Sequence, residues 1–434
     1  MLDHSRCHPR TRQPFQRIGR TFCLACSLWL LAGLLEAQQP ATLIPVEGKP
    51  EKTRLEGCTS QGEWKFERDG KVTNLKAGDF VRWGHPANRL SGPVLYLTDG
   101  SCLVADQAFT QLQIKDDEVR FDSRSFGDNR RLPLAQVEAI ILKPDAKGQR
   151  RDLWLDPLKN QPSESDLVLL NNGDRLEGTV LALEGEVLQL LSDSGDTLRI
   201  PRDNLNAVLF QPALLERPDP LERLLLIQLA DGSSLRAASW KGNSGTVEVK
   251  TAGGANAPAF QIPWPEKEAS LQERIVGLLP IGYGTVFLSD VAAAHYHHEP
   301  YLSLDWPYRR DRNVMGERLQ TKNKLYEKGI GMHADAKLTF KLEQPFQQFE
   351  GAVGIDDSAA GQGSVRFEVD VQQAEGPWQT AFKSRVLCGG ESPEYFSIDL
   401  QGVDAIRLRT DHATGGAVFD RANWLDARLR QSKD

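Results

Sequence analysis

Cysteine is scarce in this sequence. Three of the six cysteines fall within the first 37 residues, and beyond them only Cys58, Cys102 and Cys388 remain. So few cysteines exclude a disulfide-rich scaffold, and none of the three has the close partner expected in a zinc-binding pair. Cys58 and Cys102 fall in one predicted domain and could pair. The simpler expectation is that all three are small buried side chains.

An excess of positive charge is also missing. The chain carries 52 Lys and Arg against 59 Asp and Glu, a formal net charge of −7 at pH 7. Because a nucleic-acid-binding surface needs a basic patch or stripe, nucleic acid is not expected as a partner. With 40% hydrophobic and 26% charged residues, the composition is that of a globular chain and not of a disordered one.

No apolar run reaches the roughly 20 residues that a membrane-spanning helix needs. The longest, residues 21–35, follows a leader with arginines from Arg6 to Arg20. A basic leader with a short apolar core is typical of an export signal. The sequence therefore predicts a signal peptide over residues 1–37, no transmembrane anchor, and a secreted or periplasmic, cell-envelope location. An uncleaved anchor is the alternative.

Amphipathic helices are missing as well, since no segment repeats its apolar residues with helical spacing. Short apolar or alternating runs broken by Gly, Asp and Pro take their place, so the predicted fold class is all-β. Residues 38–52 contain three prolines and no periodicity, and they are predicted to be a linker. The β-rich segments are predicted over 53–145, 163–214, 221–270 and 280–434.

The first three β-rich segments are predicted to contain diverged copies of one small barrel-like unit. Each has an apolar strand, a turn of Asp and Gly, a second strand and a closing apolar-Pro element. The turn glycine and the closing proline are 33, 28 and 31 residues apart in the three units: Gly100 to Pro133, Gly173 to Pro201, and Gly232 to Pro263. Such turns favour hairpins, and several short strands favour small barrels. Leu103, Leu176 and Leu235 are expected at equivalent inward-facing positions.

The C-terminal third has the most specific pattern. Residues 329–333 (Gly-Ile-Gly-Met-His) precede an alternating strand in which Leu338 and Phe340 share one face. Residues 353–357 (Val-Gly-Ile-Asp-Asp) follow, then a second alternating strand over 365–371. The chain closes with residues 420–429, which include an Asn-Trp-Leu-Asp sequence.

These motifs, in this order, resemble those of the NPCBM carbohydrate-binding family. The resemblance covers residues 285–429, with residues 287–290 similar to the family's opening strand and residues 326–334 to its signature. It implies a galactose-binding-like jelly-roll β-sandwich over 280–434 and a carbohydrate or polysaccharide ligand, often in a module appended to a glycosidase. Residues 292–311 depart from the family pattern as an insertion rich in aromatic and charged side chains.

Sugar sites combine flat rings, on which sugar faces stack, with fixed polar groups that bond hydroxyls. The sequence predicts that such a site uses loops rather than strand faces, because the apolar strand residues are needed to close the sandwich. The candidate contacts are His333 in the signature, the acidic pair Asp356 and Asp357, Trp378 in a loop, and Trp306 and Tyr308 in the insertion.

Asp356 and Asp357 allow three interpretations. Capping of turn amides is the simplest, and contact with a sugar or with calcium is the second. Catalysis of glycoside cleavage is disfavoured, because adjacent residues of an extended chain point in opposite directions. No cofactor is therefore expected, with calcium left open. Three histidines and a glutamate form a separate cluster: His295, His297, His298 and Glu299. Such a cluster allows a metal site, although a surface loop is the simpler expectation.

The sequence contains none of the serine-hydrolase, phosphate-loop, zinc-protease or dinucleotide-binding motifs. It favours an exported, non-catalytic carbohydrate-binding protein whose N-terminal β units serve as a spacer or a protein-contact array. The alternative is a cell-envelope scaffold that binds other proteins. A glycoside hydrolase with an accessory binding module is the third interpretation.

The export signal gives the first testable prediction. The native protein should begin at Gln38, because signal peptides with a basic leader and a short apolar core are removed after small residues such as Ala37. N-terminal sequencing of the native protein checks this. A native chain that still begins at Met1, or that retains residues 21–35, would contradict the signal peptide.

Overall fold

The computed structural model describes residues 40–87, 92–106, 111–145, 147–150, 153, 155, 158, 163–243, 245–253, 257–264, 271, 274–300, 304–413 and 416–431. Strands dominate these residues, which confirms the all-β fold class. No helix among them is long and apolar enough to cross a bilayer. The predicted signal peptide lies outside the described residues. The chain divides into an N-terminal unit that ends at Tyr283 and a C-terminal unit that begins at Gly284.

The N-terminal unit contains four copies of one strand arrangement. The first copy has β1 (Ala41–Pro45), β2 (Glu51–Cys58), β3 (Trp64–Arg68), β4 (Lys71–Leu75) and β5 (Phe80–Gly84). The second has β6 (Val94–Leu97), β7 (Cys102–Val104), β8 (Gln113–Lys115), β9 (Glu118–Ser123), β10 (Gly127–Pro133) and β11 (Val137–Ile141). The third has β12 (Asp166–Leu170), β13 (Arg175–Glu184), β14 (Val187–Leu191), β15 (Thr197–Pro201) and β16 (Leu205–Leu209). The fourth has β17 (Leu224–Leu229), β18 (Ser234–Asn243), β19 (Thr246–Thr251), β20 (Ala259–Pro263) and β21 (Ile275–Ile281).

All four copies share one pairing scheme. In each, the first strand pairs with both the second strand and the closing strand, and all these pairs are antiparallel. One buried residue of the first strand lies opposite one buried residue of the closing strand: Leu43 and Trp83, Leu95 and Ile140, Val168 and Val208, Ile227 and Leu278. Leu103, Leu176 and Leu235 occupy equivalent hairpin positions, as predicted, although Leu176 is only half-buried.

A one-turn 3₁₀ helix precedes the closing strand in three copies: Ala77–Asp79, Leu134–Gln136 and Arg202–Asn204. Pro133 and Pro201 stand immediately before two of these turns with φ of −55° and −58°. Those angles match the value that the proline ring imposes. Two of the three predicted closing prolines therefore end one strand and start the turn into the next.

Two predicted boundaries were wrong. Residues 38–52 are not a linker, because Ala41–Pro45 forms β1 and pairs with β2 and β5. The first copy was missed because the turn between β1 and β2 contains no Asp-Gly pair. The C-terminal module does not begin at residue 280 either, since Pro280 and Ile281 belong to β21 and pair with β17.

The four copies are joined into one body by equivalent strands. The closing strands pair with each other, β5 with β21 and β11 with β16, in matching registers. The second and fourth copies meet at their turns, where the Ser101 hydroxyl accepts from the Arg236 amide and the Ser233 hydroxyl accepts from the Val104 amide, both at 2.9 Å. One hydrophobic cluster contains residues of all four copies, and a second, smaller cluster contains residues of the second and third copies.

The C-terminal unit is a sandwich of two antiparallel sheets. One sheet has the order β24 (Arg309–Arg310), β27 (Gly329–His333), β35 (Arg421–Gln431), β29 (Phe346–Ile355), β33 (Glu394–Asp399), with β22 (Thr285–Phe287) on β35. The other has β23 (His295–His298), β28 (Ala336–Lys341), β34 (Ala405–His412), β30 (Ser364–Gln372), β31 (Gln379–Lys383), with β32 (Leu387–Cys388) on β30. A hairpin of β25 (Leu319–Thr321) and β26 (Lys324–Tyr326) lies beside them. Phe340, Phe349, Phe367 and Trp424 are buried in the core.

Further one-turn 3₁₀ helices lie outside this scheme: Gly148–Arg150, Pro212–Leu214, Leu288–Asp290 and Asp357–Ala359. The disulfide that Cys58 and Cys102 could form is not made, and both are free thiols. Both are buried, as the simpler expectation had it, whereas Cys388 is only half-buried.

Gly331 lets another part of the chain approach β27 closely. A Cβ atom on it would lie 2.5 Å from the Arg312 carbonyl oxygen and 2.6 Å from the Asn313 Cα atom. These contacts are to backbone, which cannot move aside as a flexible side chain would. Gly331 of the signature therefore serves packing.

Gly331→Ala should lower the free energy of unfolding of the C-terminal unit by about 1–3 kcal/mol, because the added methyl group overpacks a backbone contact. Thermal unfolding of the full chain measures this as a lower Tm for one transition. Gly78→Ala is the matched control, since a Cβ atom there meets the Tyr283 side chain at an ordinary 3.8 Å. Equal effects of both substitutions would refute the packing role.

Candidate functional site

His333 is the last residue of β27 and is almost completely buried. Its ring stacks on Trp306, with the ring centroids 5.3 Å apart and the planes 9° from parallel. The ring of His298 meets His333 edge-on at 5.9 Å. Burial lowers the pKa of His333, and the nearby His298 and Arg421 lower it further. A neutral imidazole can donate one hydrogen bond and accept one.

Trp306 is held in place by its own backbone. Its carbonyl oxygen accepts the Tyr296 hydroxyl at 2.5 Å, and its amide lies 3.3 Å from Nδ1 of His298. The Tyr296 ring in turn packs on Tyr308 at 5.1 Å. The Trp306 side chain is half-buried. This part of the predicted insertion therefore presents a ring that is supported from one side by His333.

Charged groups border this ring. Asp305 is 78% exposed and lies 3.1 Å from Nδ1 of His298. Arg421 pairs with His333 across β35 and β27, and its guanidinium donates to the Ser358 carbonyl at 2.7 Å. The turn that contains Asp356 and Asp357 therefore reaches the same end of the sandwich as His333.

Asp356 is a structural residue. It is 1% exposed and accepts four hydrogen bonds: from Asn313 Nδ2 at 2.8 Å, the Ser358 amide at 2.9 Å, the Gln320 amide at 3.1 Å and Asn423 Nδ2 at 2.7 Å. Its carboxylate is occupied inside the fold and out of reach of a ligand. Asp356 therefore caps the turn, in agreement with the simplest of its three interpretations.

Asp357 holds the hairpin turn between β25 and β26. It accepts from the Lys322 amide at 2.9 Å and the Asn323 amide at 2.7 Å, and both of those residues have left-handed backbone angles. Burial raises the pKa of Asp357, and the two amides offset part of the rise. Among the described residues no group of three or more His, Cys, Asp or Glu side chains could hold a metal ion.

Trp378 lies elsewhere. Its ring carries the Arg407 guanidinium at 4.4 Å, and its loop joins β30 to β31. His333 contacts the other end of β34, where the Thr410 hydroxyl donates to the His333 carbonyl at 2.9 Å. Arg407 and Thr410 are three residues apart, or about 10 Å along a strand. The structure thus brings His333, Trp306 and Tyr308 together and leaves Trp378 out.

Residues 284–430 match the family model of the NPCBM/NEW2 domain. The C-terminal unit is an NPCBM/NEW2 domain. This finding supports carbohydrate binding as its function.

Individual relatives resemble parts of the chain. A 122-residue segment is 34% identical to alpha-1,3-galactosidase B of Akkermansia muciniphila, and it covers 27% of this chain but only 15% of that relative. CBM51 from Clostridium perfringens GH95, solved with methyl-galactose, is 24% identical, with 33% of this chain and 99% of that chain covered and a TM-score of 0.30. CBM51-2 with INT domains from Clostridium perfringens ZmpB, solved with GlcNAc, is 22% identical over 46% and 42% of the two chains, also with a TM-score of 0.30.

Several residues at the end of the sandwich that contains His333 were not among the contacts predicted from the sequence. Arg421 and Asp420 stand in the closing motif, and His298 stands in the cluster that was expected to be a loop but forms part of β23. Nδ1 of His412 lies 2.8 Å from each carboxylate oxygen of Asp335, a contact that raises the pKa of His412. The last residue of β27, His333, pairs with the first residue of β35, Arg421. Neither the signature nor the closing motif predicts this pairing by itself.

Asp420 is fully buried in the NPCBM domain. Its Oδ1 accepts from the Ser364 amide at 2.7 Å, and no partner for its Oδ2 lies among the described residues. Burial raises the pKa of Asp420 from 3.8 to about 7, and His412 offsets part of the rise. Because the folded state binds the proton more tightly than the unfolded state, this group stabilises the fold below about pH 4 and loses that contribution as the pH rises through 7.

Asp420→Asn should therefore change the Tm of the NPCBM domain more favourably at pH 8 than at pH 4. The reason is that the amide stays neutral at pH 8, where the carboxyl would ionise. Calorimetry of the full chain at the two pH values measures this difference. Asp399→Asn, at an exposed position, is the control and should shift the Tm equally at both. A Tm change in Asp420→Asn that does not depend on pH would show that the carboxyl does not titrate in this range.

Proposed function

We propose that the NPCBM domain binds a glycan at the end of the sandwich where Trp306, His333 and Arg421 meet. The observation that carries this proposal is the half-buried Trp306 ring lying flat on His333. A ring fixed from one side can offer its other side to the C–H face of a sugar. Neutral His333, the Arg421 guanidinium and exposed Asp305 supply donors and acceptors for hydroxyl groups around that ring.

The proposal is one of recognition and not of cleavage. A glycosidase needs two carboxyl groups placed on either side of the scissile bond. Asp356 and Asp357 are both engaged as acceptors of backbone and amide hydrogen bonds. Their geometry supports a turn that shapes the site rather than an acid and base pair.

Export of the protein is part of the same proposal, on the basis of the basic leader and short apolar core. Its four-copy N-terminal unit would then space the NPCBM domain from a second attachment point or contact envelope proteins. Weak binding is expected, because a site at the rim leaves much of a sugar in water. A Kd of about 10⁻³ to 10⁻⁵ M corresponds to roughly −4 to −7 kcal/mol.

Trp306→Ala should weaken glycan binding at least about tenfold, because it removes the stacking surface. The Tm should change little, since the ring is only half-buried. A glycan array on the full chain, followed by titration calorimetry, measures this; methyl-galactose and GlcNAc are the first probes, since the CBM51 structures contain them.

Trp378→Ala is the matched control for this experiment, because Trp378 is another half-buried tryptophan and lies in the loop between β30 and β31, away from His333. It should keep full binding. Loss of binding in Trp378→Ala with full binding in Trp306→Ala would move the site to the Trp378 loop. Loss of the fold in Trp306→Ala would show that its ring belongs to the core.

A further inference from the structure

We infer that the outer face of the β23-β28-β34-β30-β31 sheet is a second binding surface, for a polysaccharide that carries sulfate or carboxylate groups. This surface is separate from the Trp306 ring. On each strand one set of alternate residues is apolar and packs in the core, as Leu338, Leu408 and Phe367 do. The other set therefore faces outward.

The outward set is rich in positive charge. Its basic side chains are Lys337, Lys341, Arg366, Lys383, Arg407 and Arg409. Its acidic side chains are Glu368, Asp370 and Asp411. Six basic against three acidic groups leave an excess of three positive charges on one sheet face, within a chain whose net charge is −7.

The cross-strand register places these groups side by side. Lys337 lies opposite Arg409, Arg409 opposite Glu368, and Glu368 opposite Lys383. Neighbouring strands are about 4.8 Å apart, so such a row crosses roughly 15 Å of surface. Of the three acidic groups, Glu368 in this row and Asp370 on the same strand have almost completely buried side chains.

Glu368 and Asp370 are 5% and 2% exposed at their side chains. Asp370 accepts from Nε of Arg407 at 3.1 Å and from its terminal nitrogen at 2.7 Å, while Glu368 binds Lys383 at 2.7 Å and also Arg409. The buried acids reduce repulsion among the cations and fix the two guanidinium groups. They leave the solvent layer cationic.

The lysines form that outer layer. Lys337 and Lys383 are 44% and 55% exposed, and Lys341 is exposed as well. Trp378 stacks on Arg407 at the border of the face and adds a flat ring beside the charges. The exposed acids are Asp411 on the face and others at its borders: Glu299 just beyond β23, 4.0 Å from Lys337, and Glu343 and Asp404 beyond the ends of β28 and β34. Dispersed cations with an adjacent ring suit an anionic sugar chain.

The experiment measures binding of the full chain to immobilised dextran sulfate and polygalacturonate, with neutral dextran as the uncharged counterpart. Dextran sulfate, polygalacturonate or both should bind, dextran should not, and binding should weaken between about 50 and 300 mM salt as charges are screened. Binding to one polyanion alone assigns sulfate or carboxylate as the preferred group. Binding to neither overturns the inference.

Variants locate the surface. Lys337→Gln, Lys341→Gln and Lys383→Gln combined should weaken binding roughly tenfold, because three exposed charges are lost. Lys71→Gln, Lys241→Gln and Lys250→Gln combined remove three exposed lysines of the N-terminal unit. This variant should bind the polyanion within about twofold of the unchanged protein. Trp306→Ala should also leave polyanion binding unchanged, which separates this surface from the proposed glycan site. Equal losses in both triple variants, or equally tight retention of double-stranded DNA, would overturn the inference.

Discussion

One buried carboxylate organises the end of the C-terminal sandwich. Asp356 receives hydrogen bonds from the loop before β25, from β25 itself and from β35. It also receives one from the turn that follows Asp356 in the chain. Hydrogen bonds to a charged group contribute about 1.5–3 kcal/mol each, and a buried donor left without its acceptor costs a similar amount. The four segments are therefore fixed relative to one another. Arg421 lies two residues before Asn423, which donates one of these hydrogen bonds. The same arrangement therefore places Arg421 beside His333.

The copies of the N-terminal unit contact one another through equivalent closing strands and equivalent turns. The second and fourth copies meet through Ser101 and Ser233, each of which accepts the amide three residues after the other serine. In the third copy the equivalent position is Asp174, which is exposed. A charged side chain at the free turn discourages addition of a further copy, as polar caps do in repeat proteins. The four copies share one main hydrophobic cluster.

The sequence predicted what depends on neighbours along the chain. Alternation identified β28 and β30, and the Asp and Gly turns identified three hairpins, because side-chain period and turn geometry are local properties. The first copy was missed because its turn is built without that signal. The separation of Trp378 from His333 was missed because it depends on the pairing of β30 with β34, which no local pattern contains. Asp356 looked like a ligand contact for the same reason, since its four donors come from distant segments.

The two faces of the second sheet explain how one domain can hold two kinds of surface. The inner residues of β28, β30 and β34 are committed to the core, so their identity is set by packing. The outer residues contribute little to that core. Their charges must be reconciled only with each other, and burial of Glu368 and Asp370 beneath Arg407 and Arg409 does this. The rim site, by contrast, depends on loops whose positions the core and Asp356 determine. A rim suits a ring and a few directional hydrogen bonds, whereas a flat sheet face suits many weak charge contacts.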